Sequence, residues 1–435
     1  MVAAGLAMAG PLSLLGASGN RFVTGKGSFP RWHALSLSTE APLRWLVAVR
    51  PGQLAAIDRD GTFWVIDVGE SGAGVAARYG EVAGPEGPPV VVSLDRERTG
   101  VAFVGRDGRL AVWSDGSLRS YDVGAALSRL TVPSPVVLAG RGWDDLLAVA
   151  ADGAVVLIGG LPGAPRVVSR LPVRALPDAR ITVGDLDGDG QLEAVVLTDP
   201  TSRYGHAALG DALEAASLTV IGLSANGLAV RTRLVLPSPV VFEDLVPLIA
   251  SLDGGLPVVL VARSSAAHGA AVVALALKDG SLVVHAESPA IGQGYRWSHV
   301  VAVADLTRDG TSEVLAVRAP HVGGLLTAYR RRAGVLVPVA HAGGFASHAL
   351  GSRNQEQALV ADLAGRGRPE IVVPRKARDV LVGLELDGAR LVERWSYALG
   401  SPIESNLVAA DLDGDGLLDL AVADRRGLHV LLSVR

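Results

Sequence analysis

One motif returns along this chain, and it limits the fold more than any other feature. Four segments align residue by residue: VGDLDGDGQLEAVVL from Val183, VADLTRDGTSEVLAV from Val303, VADLAGRGRPEIVVP from Val360 and AADLDGDGLLDLAVA from Ala409. Each is an apolar run, an acidic turn and a second apolar run. Weaker copies end their first run near Ser93, Ala139 and Ser251. With Ser93, Ala139, Asp185, Ser251, Asp305, Asp362 and Asp411 taken as equivalent, the separations are 46, 46, 66, 54, 57 and 49 residues. A still earlier unit opens at Leu43 with a tighter turn. A unit of that length cannot bury its own apolar faces, so the copies must stack on one another.

Each unit divides into four short strands, A to D. Around Asp185 the pattern predicts strands at about 179–185, 192–199, 216–223 and 228–236. Around Asp362 it predicts about 357–362, 370–375, 379–386 and 390–398. Asp-Gly pairs at Asp107-Gly108, Asp152-Gly153, Asp279-Gly280 and Asp387-Gly388 supply hairpin turns. No segment keeps a 3.6-residue period over three turns, so helices should be few. The expectation is an all-β chain forming a single β-propeller of about eight four-stranded blades, or seven if a weak early unit is miscounted.

The last unit stops after three strands at Arg435. The segment RWHALSLSTE, Arg31 to Glu40, precedes the first strand A and can supply the missing strand. Pairing it there closes the ring and removes two open edges. The expected organisation is therefore 1–20 as an export segment, 21–42 as an N-terminal piece with the closing strand, and 43–435 as the propeller repeats. Residues 1–19 are small and apolar, and the first charge is Arg21. They resemble the apolar region and small-residue cleavage zone of a secretory signal, without its positive start. The expectation is an exported protein, periplasmic, surface or secreted, with membrane anchoring by this segment as a variant. Pro11 argues against a spanning helix.

Composition removes several function classes. The formal net charge is −4, and no basic block offers a footprint for nucleic acid. Zero Cys excludes disulfides, a thiol nucleophile and Cys-ligated zinc. Thr24-Gly25-Lys26-Gly27 lacks the upstream Gly and following Ser/Thr of a phosphate loop. Gly69, Gly72 and Gly74 sit in a β context, so no nucleotide cofactor is expected. There is no Gly-x-Ser-x-Gly or His-Glu-x-x-His, and no catalytic residue is assigned.

The acidic turns carry the clearest chemistry. In DLDGDGQLE, Asp185, Asp187 and Asp189 alternate, Gly190 allows a sharp turn, a carbonyl is expected from Gln191, and Glu193 closes the set. Asp411, Asp413, Asp415, Leu417 and Asp419 repeat it. Carboxylates crowded this closely repel unless a cation neutralises them, and hard oxygen ligands at alternate positions suit Ca²⁺ better than Mg²⁺. Two Ca²⁺ sites are expected. A third, weaker one is drawn from Asp305, Thr307, Asp309, Thr311 and Glu313. At Asp362 the second and third positions are Ala364 and Arg366, so a guanidinium is expected in place of the metal.

This Asp-x-Asp-x-Asp-Gly-x-x-Asp/Glu turn between apolar strands resembles the FG-GAP/VCBS-type repeat of integrin α-subunit propellers and many bacterial exported proteins. The resemblance is specific at Asp185–Glu193 and Asp411–Asp419, fair at 305 and 362, and architectural before residue 175. It implies a propeller with structural Ca²⁺ in the A–B turns and a role in adhesion, scaffolding or glycan contact. A clear Phe-Gly element is missing, and of Gly-Ala-Pro only Ala319-Pro320 is present.

In such blades B–C and D–A loops lie opposite the A–B turns. These loops carry Arg203, Tyr204, His206, Arg263, His268, Tyr295, Arg296, Trp297, His299, His321, His348 and Arg353. They are the candidates for a ligand face. Trp32, Trp45, Trp64, Trp113, Trp143 and Trp395 read as packing residues. The leading expectation is a non-enzymatic module that binds a protein or a surface polymer such as a glycan. The alternative is a polysaccharide lyase of the rhamnogalacturonan type, with Arg neutralising a uronate and His or Tyr moving protons. Aromatic residues at 4% are a thin supply of sugar-stacking platforms for that reading.

Overall fold

The computed structural model describes residues 18–138, 142–224 and 227–435. The weak repeat position at Ala139 and the expected export segment up to Ala17 fall outside them. Among the described residues the only helical element is a 3₁₀ turn, Ala207–Leu209, and no helix is long and apolar enough to cross a membrane. Everything else regular is strand.

The strands form antiparallel meanders in chain order. The first unit is Leu43–Arg50, Gln53–Asp58, Phe63–Gly69 and Gly72–Tyr79. Sheets of the same form follow at 90–121 and 134–172. The unit around Asp185 has strands Thr182–Gly184, Glu193–Thr201, Glu214–Ser224 and Gly227–Val235. It is fused with the meanders at 248–287 and 298–342 into a thirteen-stranded sheet. Short joints make the fusion: Val241–Phe242 bridges two neighbours, and Glu287 pairs in parallel with Val335. The unit around Asp362 is Leu359–Ala361, Glu370–Pro374, Val380–Asp387 and Arg390–Ala398. Phe22–Val23 joins it as a parallel fifth strand. In the last sheet Val408–Ala410, Asp419–Asp424 and Gly427–Ser433 are joined by Trp32–Ser38, which runs antiparallel to Gly427–Ser433 from Trp32↔Ser433 to Ser38↔Gly427.

Burial explains the residue pattern. Strands B and C, such as Gln53–Asp58 and Ala154–Gly159, are buried throughout, because a neighbouring sheet covers each face. Strands D, such as Gly72–Tyr79 and Arg166–Pro172, alternate or are exposed because only one side is covered. Apolar layers lie between consecutive units. Trp45, Phe63 and Phe103 pack between the first and second, and Leu359, Trp395, Leu420 and Leu431 between the seventh and last. A further layer of Leu35, Leu43, Leu46, Ala421 and Val430 joins the last unit to the first. Trp45, Trp64, Trp113 and Trp395 are buried as expected, but Trp143 is exposed.

Strands A line the axis. Residues 18–23 run among them: the Asn20 side chain bonds both backbone groups of Val303, and the Val360 N–H donates to the Arg21 carbonyl. The chain leaves at 26–29, where the Gly27 N–H donates to the Asp362 carbonyl and the Leu418 N–H to the Lys26 carbonyl. Gly27 fits because a Cβ there would lie 2.4 Å from the Leu363 carbonyl oxygen.

Candidate functional site

The A–B turns share one face. The Gly52 N–H reaches the Leu412 carbonyl, and the Ser312 N–H reaches that of Leu252, each linking neighbouring units at their turns. In four of these turns the same two anchors recur. The first Asp takes two backbone N–H groups: Asp185 from Gly188 and Gly190, Asp305 from Asp309 and Gly310, Asp362 from Arg366 and Gly367, Asp411 from Gly414 and Gly416. The last acid is fully buried and accepts the N–H of the second turn residue, as Glu193 does from Leu186, Glu313 from Leu306 and Asp419 from Leu412, or of the third, as Glu370 does from Ala364. Gly190 and Gly416 have φ of +81° and +85°, the left-handed conformation the turn requires.

Asp362 performs this anchoring without acids at the second and third positions, so the turn itself needs no cation. Asp362→Ala should lower stability by about 1–3 kcal/mol by orphaning the Arg366 and Gly367 N–H groups. Urea unfolding measures it, and an equal loss in the presence and absence of divalent metal is expected.

Among the described residues two turns gather acids tightly enough to hold a metal: Asp185, Asp187 and Glu193, and Asp411, Asp413 and Asp419, each set with ligand atoms within 4.8 Å of one another. Their surroundings differ. Arg231, from strand D, lies 2.9 Å from Asp187 and also pairs with Glu193. Arg330, from strand C, does the same in the third turn, 2.7 Å from Asp309 and paired with Glu313, while donating to the Thr307 hydroxyl. Arg366 pairs with Glu370 at 3.1 Å, as its place in the motif suggested. Arginine is thus a general occupant of these turns. Strand spacing hid Arg231 and Arg330, which lie far along the chain and reach the turn only across the sheet.

The 411–419 turn has a different neutraliser, Arg435, 3.6 Å from Asp415. The second oxygen of Asp419 accepts the Ser433 N–H in place of an Arg. Burial raises Asp419 to about 7, opposed by its backbone bonds, and also raises Asp413. A divalent ion among these oxygens would reverse that cost. The residues present therefore fit a cation best at Asp411–Asp419. At Asp185–Glu193 it competes with Arg231.

The opposite face holds the loop candidates, and the structure draws most of them into one polar and aromatic cluster. Tyr204 stacks on Tyr295 with centroids 5.1 Å apart, and His206 meets both rings edge-on. Trp297 stacks on His299 at 4.9 Å, and His348 contacts Trp297, His299 and His321. Tyr204, Trp297, His299 and His348 are buried. His299 lies in strand Ser298–Ala304 and Arg263 in strand Val258–Ser265, where loops were expected. Burial holds the imidazoles neutral: His299 is pushed down to about 3 and His321 to about 4, each by desolvation first and a charged or imidazole neighbour second. Arg353 pairs with Asp178 at 2.8 Å and Asp211 at 2.6 Å, and Arg203 donates to the Leu236 and Val240 carbonyls. Arg296 donates to the carbonyl of Tyr295.

Sequence reasoning missed the acids of this cluster. Glu243 binds the His206 Nδ1 and the Ser264 hydroxyl, while its carbonyl accepts the Trp297 Nε1 bond at 2.7 Å. Asp244 takes three backbone N–H groups and Glu214 lies fully buried nearby. Burial raises Asp244 to about 7, and burial plus repulsion from Glu243 raises Glu214 to about 10. The pair Glu243-Asp244 interrupting an apolar run at 240–249 is the signal that could have found them. Around the cluster, Leu213, Tyr295, Val322 and Leu350 are exposed on the same loops.

No family model matches the chain, and no curated relative does. Solved structures do. Sqt1 from Saccharomyces cerevisiae matches 95% of this chain and 99% of its own at 10% identity with a TM-score of 0.50. The Dos1 propeller matches 97% of each chain at 11% identity and 0.51. The quinohemoprotein alcohol dehydrogenase ADHIIG from Pseudomonas putida HK5 matches 95% of this chain and 78% of its own at 9% identity and 0.57. Likeness at such low identity speaks for the fold alone, and with the stacked meanders it makes this chain a β-propeller.

Proposed function

We propose that the chain is an exported, calcium-stabilised propeller of eight blades that acts as a binding or scaffold module for a protein or surface polymer. Residues 43–435 form its blades, and 32–38 close the ring on the last sheet. The carrying observation for binding is the rim of Leu213, Tyr295, Val322 and Leu350, four exposed apolar side chains on the loops of one face. Apolar groups set in a polar rim are what a protein surface offers to a partner. Long loops on a rigid scaffold are where such contacts are made. The lyase reading finds less support. Tyr204, His299 and His348 are buried, and Arg203 and Arg353 are already bonded to chain groups, so few are free to meet a polymer.

Three experiments test this reading. Immobilised protein is screened against purified exported proteins and glycans, beside a Val322→Arg/Leu350→Arg variant. A binder retained by the wild type and lost by the variant is expected, and identical profiles would sink the assignment of the face. For calcium, chelation should lower the melting temperature, and Asp187→Ala with Asp413→Ala should abolish most of that shift. An unchanged melting curve under chelator removes structural calcium. Export is read from a fusion of residues 1–20 to a reporter, expected outside the cytoplasm.

A further inference from the structure

The axis of the propeller contains a cavity of about 250 Å³ near the loop face, between the first residues of successive strands A. Its wall is mostly apolar, with Leu46, Val91, Val132, Leu248, Val300 and Leu407 among its lining residues. One charged side chain in it lacks a counterpart. Arg180 is 8% exposed, and its Nε has no hydrogen-bond partner. Among the described residues no ion pair involves it. Asp178 and Glu356 act on it only through space and make their ion pairs elsewhere, Asp178 with Arg353 and Glu356 with Arg21, which lines the cavity beside it. Its guanidinium lies over the Trp45 ring, with Cζ 5.6 Å from the ring centroid.

Burying a guanidinium with no partner is costly by several kcal/mol, and a chain under no other demand would replace it with an apolar residue. The same cavity holds further unpartnered atoms: Thr182 Oγ1, His299 Nδ1 and both amide atoms of Gln355. Polar groups on residues that line an apolar cavity, each without a partner, are the pattern of a site whose remaining atoms come from a ligand.

We propose that this axial cavity binds a small amphipathic monocarboxylate, its head on Arg180 and its aliphatic body against the Val and Leu wall. A guanidinium meets a carboxylate through two parallel bonds. A single unpaired cation matches a single negative charge, so a doubly charged phosphate would leave an excess. An apolar cavity of roughly 150 Å³ holds a benzene ring, so this one accommodates about ten non-hydrogen atoms.

Octanoate is the probe, titrated into the full chain by calorimetry and followed by thermal shift, with 1-octanol as its neutral counterpart. Octanoate should bind and raise the melting temperature, while 1-octanol binds at least about tenfold more weakly. Arg180→Met should weaken octanoate at least about tenfold and, by removing the unpaired charge, should not lower the melting temperature of the free protein. Val300→Phe fills the cavity and keeps the test open if Arg180→Met does not fold; it too should lose octanoate. The titrations are run in calcium and in chelator, so failure of the metal reading leaves this one standing and the reverse. No octanoate binding at millimolar concentration, equal binding of 1-octanol, or undiminished binding by Val300→Phe overturns the proposal.

Discussion

Removing residues 18–38 should abolish cooperative unfolding and send the chain into aggregates. Trp32–Ser38 is the outermost strand of the last sheet, paired along its whole length with Gly427–Ser433. Without it, Gly427–Ser433 presents a bare row of N–H and C=O groups, an open template for another chain. The loss extends inward, because Leu35 belongs to the layer between the first and last units, and Phe29 and Trp32 pack with Trp395 in the layer before it. A milder version isolates the effect. Leu35→Asp places a charge in the buried layer and should destabilise by about 3–5 kcal/mol. Ser36→Asp, one residue on and exposed, should change stability by no more than about 0.5 kcal/mol. Equal urea midpoints for the two variants would show that the strand does not hold the ring.

The second large effect is on pH dependence. Glu214 is held protonated up to about 10 by burial first and by Glu243, Asp211, Asp178 and Asp244 after it. Its proton affinity is therefore higher in the folded than in the unfolded chain. The stability it contributes is complete below its unfolded value near 4.5 and declines as pH rises toward 10. The slope is about 1.4 kcal/mol for each pH unit inside that window, so roughly 4 kcal/mol separates pH 5.5 from pH 8.5. Glu214→Gln removes this dependence, and the variant should gain on the wild type steadily as pH increases. Urea unfolding at pH 5.5, 7 and 8.5 measures the difference. Parallel profiles for the two proteins would mean that Glu214 is ionised in the fold or solvated within it.

The buried imidazoles act on the acid side with the opposite sign. His299, at about 3, stays neutral in the folded chain well below the pH at which the unfolded chain takes up its proton. Its contribution is present above 6.5 and is lost as pH falls toward 3. His321 and His348, depressed in the same direction, add to it. In the interval from 4.5 to 6.5 these histidines and the raised carboxylates oppose each other, and only single variants separate them.

Much of this could be read along the chain. The strand limits around Asp185 and Asp362 agree with the fold to within about three residues, because each unit alternates apolar runs with turn residues whose conformational demands are local. The acidic turns were equally plain, since their anchors, such as Asp185 to Gly188 and Gly190 and Glu193 to Leu186, span seven residues or fewer. What occupies them was not plain. Arg231 meets Asp187 from a strand two places away, and no spacing rule connects residues joined only through the sheet.

The loop face shows the same divide. The order of loops around the ring put Tyr204, His206, Trp297, His299, His321 and His348 on one side of the molecule, because meander topology fixes the side on which each connection emerges. Whether a loop residue meets water or turns inward depends on how the neighbouring loops pack over it, and four of these side chains are buried. Sequence determined the repeat, the strands and the turns because their causes act within a unit. The tertiary structure alone decided which buried titratable groups are left without an ion pair, neutral at Glu214 and charged at Arg180, because partnership there is a contact between units distant in the chain.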